Sequence, residues 1–130
     1  MEVERSYDVE DIVRQALEPY FTIYCRPLPK DFEIPSLLVT LVGGDDLNKI
    51  DSFDIVLDAR ANTDAEAMTL LLDATATLKQ VTAEQTTPLR YMEVNSVGSW
   101  GSDPVRPELA MCSSRIRLYT HKFNKTIELK

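Results

Sequence analysis

Apolar and polar positions change rhythm along this chain, and each change marks an element. Leu37-Leu38-Val39-Thr40-Leu41-Val42 is apolar on both faces, which predicts a strand inside a sheet. Phe53, Ile55, Leu57, Ala59 and Ala61 alternate with Asp54, Val56, Asp58, Arg60 and Asn62, the two-residue period of a strand with one buried face. Between these strands, Gly43-Gly44-Asp45-Asp46 has the chemistry of a tight turn. Thr63-Asp64-Ala65-Glu66 then opens a helix as a capping box, in which the Thr63 hydroxyl takes the Glu66 N–H and the Glu66 carboxylate reaches back to the Thr63 backbone. Ala67, Leu70, Leu71, Ala74, Leu78 and Val81 follow at helical spacing. A second stripe (Ala65, Met68, Leu72, Ala76) predicts burial on the other side as well, against a first helix or another subunit. The polar run from Thr82 to Pro88 predicts a loop.

The flanking segments look added to this nucleus. Asp8 caps a first helix, with Glu10 and Asp11 in its first turn and a stripe of Val9, Ile12, Val13, Ala16, Leu17 and Tyr20. Pro19 ends it. Phe21 to Arg26 alternates as a short strand, and Pro27, Pro29 and Pro35 make the next stretch an extended connector. Arg90 to Val97 reads as a strand, Gly98 to Pro104 as a turn carrying Trp100, and Leu109 to Lys122 as the last long strand. Residues 123–130 have no turn of their own and are expected to be a flexible tail that orders against a partner. The expected fold is therefore α+β: a mostly antiparallel sheet of four to five strands with two helices packed on it, in one domain spanning 1–130.

Composition narrows the function. Hydrophobic content of 44% and charged content of 27% are globular values, so wholesale disorder is not expected. A net charge of −7 argues against duplex DNA as a bound partner. The charge is split: residues 1–78 hold 16 acids and 6 bases, net −10, and residues 79–130 hold 5 and 8, net +3. Such halves suit head-to-tail packing of copies, or simply a solvated surface. The charged N-terminus predicts no secretory leader, and no segment is apolar for long enough to span a membrane. Cys25 and Cys112 sit in strand-like runs without a C-x-x-C spacing and are expected to be reduced and buried.

Candidate chemistry is sparse. Gly43-Gly44-Asp45-Asp46 resembles a metal-holding polymerase turn but lacks a partner acid, so no metal, cofactor or catalytic residue is expected. His121 is a lone imidazole without a nucleophile beside it. Trp100 is either tucked against the core or presented to a partner. Arg115 and Arg117 share a strand face and pair either with Asp54, Asp58 or Glu93 across the sheet, or with a neighbouring subunit.

The order of elements from residue 8 to 122 resembles the tail terminator (neck) proteins of long-tailed bacteriophages. The residues that carry the likeness are an apolar strand ending in Val42-Gly43-Gly44, an alternating strand ending in Asp58-Ala59-Arg60-Ala61, a helix opening with Asp64-Ala65-Glu66-Ala67, a turn with Asp103-Pro104, and a strand ending Arg115-Ile116-Arg117-Leu118-Tyr119-Thr120. The connector Pro27 to Pro35 and the residues beyond Lys122 depart from it. The resemblance implies a non-enzymatic virion protein, assembled in the bacterial cytoplasm, that forms a ring (typically a hexamer) at the head–tail junction. The implied partners are copies of itself, the tail tube protein and the head–tail connector, with DNA passing through the lumen without specific binding. Asp45, Asp46, Trp100 and Arg106 are expected on turns that engage neighbouring rings. Three alternatives stay open: a head-completion or tail-tube subunit, a small-molecule-binding or enzymatic domain with a pocket under Trp100, and a monomeric adaptor.

Overall fold

A computed structural model describes residues 1–130. In chain order the elements are β1 (Glu2–Arg5), α1 (Val9–Leu17), β2 (Ile23–Cys25), β3 (Ser36–Asp46), β4 (Ile50–Ala61), α2 (Asp64–Glu84), β5 (Leu89–Gly101), β6 (Ala110–His121) and β7 (Phe123–Thr126). The fold is α+β. A five-stranded sheet in the order β2-β3-β4-β6-β5 is antiparallel except at the β2–β3 edge, and β1 and β7 form a separate two-stranded ribbon.

The nucleus forms as its alternation dictates. Ile55, Leu57, Ala59 and Ala61 are buried and face the helices, together with Leu37 and Val39 of β3 and Cys112, Ile116 and Leu118 of β6. α2 lays Ala67, Leu71, Ala74 and Leu78 onto that face, and α1 adds Val9, Ile12, Val13, Ala16 and Leu17 beside it. Fully burying a leucine or isoleucine contributes about 1.5–3 kcal/mol each, so this layer is the main source of stability. Asp8 caps α1 by accepting the Asp11 N–H at 3.3 Å, and Thr63 caps α2 by accepting the Glu66 N–H at 3.2 Å. The return half of the expected box differs. The Glu66 carboxylate accepts the Thr63 hydroxyl at 3.3 Å rather than its backbone N–H.

Several expectations are corrected. The turn is not at Gly43-Gly44-Asp45-Asp46: β3 runs on through Asp46, and the chain reverses at Leu47-Asn48-Lys49 with Asn48 at φ 77°. The Asp46 carboxylate accepts the Asn48 N–H at 2.8 Å, which is the turn-forming bond. Gly44 serves close approach instead, because a Cβ there would collide with the Ser52 carbonyl oxygen on β4. A bulge between Leu41 and Gly43 leaves Val42 as the extra residue and shifts the β3–β4 register by one.

Trp100 is likewise on a strand. β5 extends to Gly101 because β6 offers a partner along its length, with Trp100 opposite Cys112. Three register shifts and a positive-φ Gly98 absorb the turn-like residues as bulges. α2 continues through the expected loop to Glu84 and stops at Gln85, which takes the left-handed conformation. Tyr20 lies outside α1 and is exposed, because the helix ends before Pro19. Of the second α2 stripe, Met68 is half-buried against Cys112 while Ala65, Leu72 and Ala76 face outward.

The expected tail is not loose. Phe123–Thr126 pairs residue for residue with the charged leader, Glu2 against Thr126 through Arg5 against Phe123, and Ile127 exchanges bonds with Met1. Local pattern could not reveal this, since each strand is four residues long and its partner lies at the other end of the chain.

Candidate functional site

The helices cover one face of the sheet only. The opposite face carries Asp54, Val56, Asp58 and Arg60 of β4, then Ser113, Arg115, Arg117 and Tyr119 of β6, then Tyr91 and Glu93 of β5. Opposite residues in an antiparallel pair share a face, so these side chains form cross-strand rows. Arg117 forks onto Asp54, Nε to Oδ1 at 2.9 Å and Nη2 to Oδ2 at 3.3 Å. This bond raises the arginine's already high pKa. The Ser113 hydroxyl donates to Asp58. Arg115 is exposed and makes no ion pair, and its neighbours across the sheet are Val56 and Ser96.

One end of this face, where β4 finishes, is roofed by the proline connector and the 102–109 loop. Arg60 and Asp103 meet there, Nε to Oδ2 at 2.8 Å, with both side chains more than nine-tenths buried. The other Asp103 oxygen accepts the N–H groups of Val105 and Arg106 at 2.9 and 2.8 Å. Burial works to raise the Asp103 pKa, but the Arg106 and Val105 N–H groups and the Arg60 guanidinium outweigh it and hold it below the usual range. Phe32, buried in the connector, lies under both Arg60 and Arg106, at 5.8 and 4.9 Å from ring centroid to guanidinium carbon. Arg106 also donates to the Phe32 carbonyl at 3.3 Å and pairs with Glu108 at 3.6 Å. It therefore clamps the roof instead of standing free on a turn.

At the opposite end, where β4 begins, Lys122 bridges Asp51 at 2.8 Å and Asp46 at 2.9 Å. The Asp51 bond, followed by the Asp46 bond, raises the lysine pKa. The same bond, followed by the Asn48 N–H, lowers that of Asp46. Lys49 and Glu4 add a looser contact at 3.6 Å between this end and the ribbon. Tyr7 and Phe123 pack in a tilted pair with ring centroids 4.6 Å apart, and the Arg5 guanidinium lies over Phe123.

Of the six residues singled out from sequence, Asp45, Asp46, Trp100 and Arg106 are thus not gathered into one site. Asp45 and Asp46 sit at the hairpin end, Arg106 in the roof and Trp100 on the sheet edge; Arg115 and Arg117 share the open face. Pattern reading missed Lys122, Arg60 and Asp103 as partners and Glu10 as a link from α1 to β3. Pairing separated by tens of residues leaves no local trace. No three or more of the His, Cys, Asp and Glu side chains are gathered to hold a metal ion. Both cysteines are free, and burial pushes both thiols above their ordinary pKa. Trp100 lines none of the five principal clefts. No helix is long and apolar enough to cross a membrane.

No protein-family model matches the chain, and no curated protein matches it.

Proposed function

We propose that this chain is a ring-forming structural protein of a long-tailed bacteriophage, a tail terminator that caps the tail tube, ends its polymerisation and joins the tail to the head connector. The observation that carries the reading is the two-sided surface of the fold. On one side is a charged sheet face with no helix over it; on the other is α2, with Ala65, Leu72 and Ala76 turned outward. A closed ring requires two different patches that meet head to tail, and a sandwich with both outer layers unpartnered supplies them. The uneven charge of the two chain halves favours the same mode of contact. This reading assigns the chain no reactive centre.

The test is reconstitution. The chain is added to polymerising tail tube protein and the products are viewed by electron microscopy. Tubes of limited length with density from this chain at one end are expected. Uncapped tubes of unrestricted length, or label placed away from the head–tail junction in virions, would overturn the proposal.

A further inference from the structure

The roofed end of the sheet encloses a cleft of about 250 Å³ with apolar walls from Leu28, Phe32, Leu38 and Val105. Its charged lining is Lys30, Arg60 and Asp103, an excess of one cation. The other principal clefts differ in sign. Three are lined by acids with no Lys or Arg, and the fourth sets Arg90 against Glu93. In a chain of net charge −7, positive charge is therefore concentrated at this one concave site.

Arg60 also has donors to spare. Its side chain is more than nine-tenths buried, and Nε is committed to Asp103 at 2.8 Å. Nη1 and Nη2 make no hydrogen bond within the chain. The Asp58 carboxylate stands 3.9 Å from Nη1, beyond bonding reach. Neither nitrogen is sealed from solvent, and the cleft is what Arg60 lines. The free edge of the guanidinium, Nη1 beside Nη2, is the fork that takes a carboxylate with two parallel bonds. Lys30 is exposed at the margin and adds charge there.

We infer that the roof cleft binds a small monocarboxylic acid with an apolar body, its carboxylate on Arg60 Nη1 and Nη2 and its hydrocarbon part against Phe32, Leu38 and Val105. A monoanion balances the single excess cation of the lining, whereas a phosphate dianion would leave negative charge uncompensated beside Asp103 and Asp58. The cleft is smaller than the roughly 300–1,000 Å³ of sites for drug-sized ligands, so the acid is short. Val105, three-quarters exposed in the free chain, gains a cover when the acid is bound. Because the walls come from the proline connector, the 102–109 loop and Leu38 of β3, the ligand fastens both loops to the open face of the sheet. The site lies within one chain and does not rest on the ring reading: a chain that caps tail tubes but binds no carboxylate refutes this site alone.

The experiment titrates hexanoate into the full chain labelled with nitrogen-15 and follows the amide resonances. Saturable shifts confined to the connector and the 102–109 loop are expected. Acetate, which lacks four of the methylene groups, and hexanamide, which lacks the charge, should each bind at least about tenfold more weakly. Val105→Glu puts a carboxylate at the mouth of the cleft on a side chain outside the core. It should weaken hexanoate binding by about tenfold or more and leave the melting temperature of the free chain unmoved. Arg60→Lys keeps the charge, removes the fork and should weaken binding to a similar degree; if it loosens the roof, Val105→Glu decides. The absence of saturable shifts, equal binding of hexanoate and acetate, tighter binding of inorganic phosphate than of hexanoate, or an affinity unchanged by Val105→Glu overturns the inference.

Discussion

The Glu10 carboxylate accepts the backbone N–H of Leu41 at 2.8 Å, joining the first turn of α1 to the edge of the sheet. β2 pairs with β3 only from Leu37 to Val39, so Leu41 is the point where this edge loses its neighbour. The carboxylate takes the place of the missing strand and also pairs with Arg26 at 3.0 Å. An unsatisfied, partly buried N–H costs about 1–3 kcal/mol. Glu10→Ala should therefore destabilise the chain by about 1–2 kcal/mol in urea denaturation. Arg26→Ala should cost less than about 0.5 kcal/mol, since its side chain is more than half exposed and the pair is screened. Equal losses from the two substitutions would show that the ion pair, not the strand edge, is what Glu10 serves.

The Arg60–Asp103 pair predicts a larger effect. Removing Asp103 leaves a buried guanidinium without its partner and two N–H groups of the roof without their acceptor. Asp103→Ala should cost about 3–5 kcal/mol. The pH dependence follows from the direction of the Asp103 shift. Its pKa is lower folded than unfolded, so the stabilisation is fully present above the unfolded value of about 3.9 and is lost as pH falls through the folded value. Urea midpoints measured from pH 6 downward should therefore begin to drop below about pH 4. The drop should be shallower in Asp103→Asn, and an identical slope in the two proteins would rule the assignment out.

Lys122 is expected to act on the ribbon and on the hairpin end of the main sheet together. A two-stranded ribbon is marginally stable by itself in water, and the bridge from Lys122 to Asp51 and Asp46 is one of the few links between β7 and the body. Lys122→Met should lower amide protection in residues 123–126 by about tenfold or more, and should also weaken the start of β4, where it leaves the buried Asp51 carboxylate unpaired. Because the folded pKa of Lys122 is raised, its contribution is fully present below the unfolded value of about 10.4 and disappears as pH rises through the folded one. Protection of the ribbon in the native chain should accordingly persist across the neutral range. Hydrogen exchange read residue by residue checks both statements.

These residues also show what a pattern can and cannot carry. The Thr63 cap and the alternation from Phe53 to Ala61 are local, so the core hairpin and α2 were legible from spacing alone. The turn was misplaced by four residues because Gly43-Gly44-Asp45-Asp46 has turn composition. What decides the matter is the antiparallel pairing of Gly43 to Asp46 with Asp54 to Asp51, which holds those residues extended. The same override put Trp100 on a strand. Lys122 and Asp51 stand 71 residues apart, and β1 and β7 join the two ends of the chain, so no window along the sequence contains either relationship. The open sheet face was half legible: Arg117 and Asp54 were among the pairs weighed, whereas the roof over Arg60 depends on Phe32 and Asp103 arriving from separate loops.

Trp100 yields the last prediction. It is about half exposed on the outermost strand, opposite the buried Cys112, with Val97 also exposed nearby. An exposed strand edge normally invites another strand, but three register shifts along β5 interrupt the row of free backbone groups. A partner at this edge would therefore be recognised by side chains, and an indole is the most effective anchor among them. Trp100→Ala should leave urea stability within about 0.5–1 kcal/mol, because the ring is not part of the core. It should weaken assembly by about 2 kcal/mol or more, roughly 30-fold in association constant. The chain has a single tryptophan, so emission reports on this position alone. If copies assemble into the proposed ring, transfer of the indole from water into an interface should move its emission to shorter wavelength as concentration rises. Emission that stays at the wavelength of a hydrated indole throughout assembly would place Trp100 outside every contact between copies, leaving the α2 face and the open sheet face to form the ring.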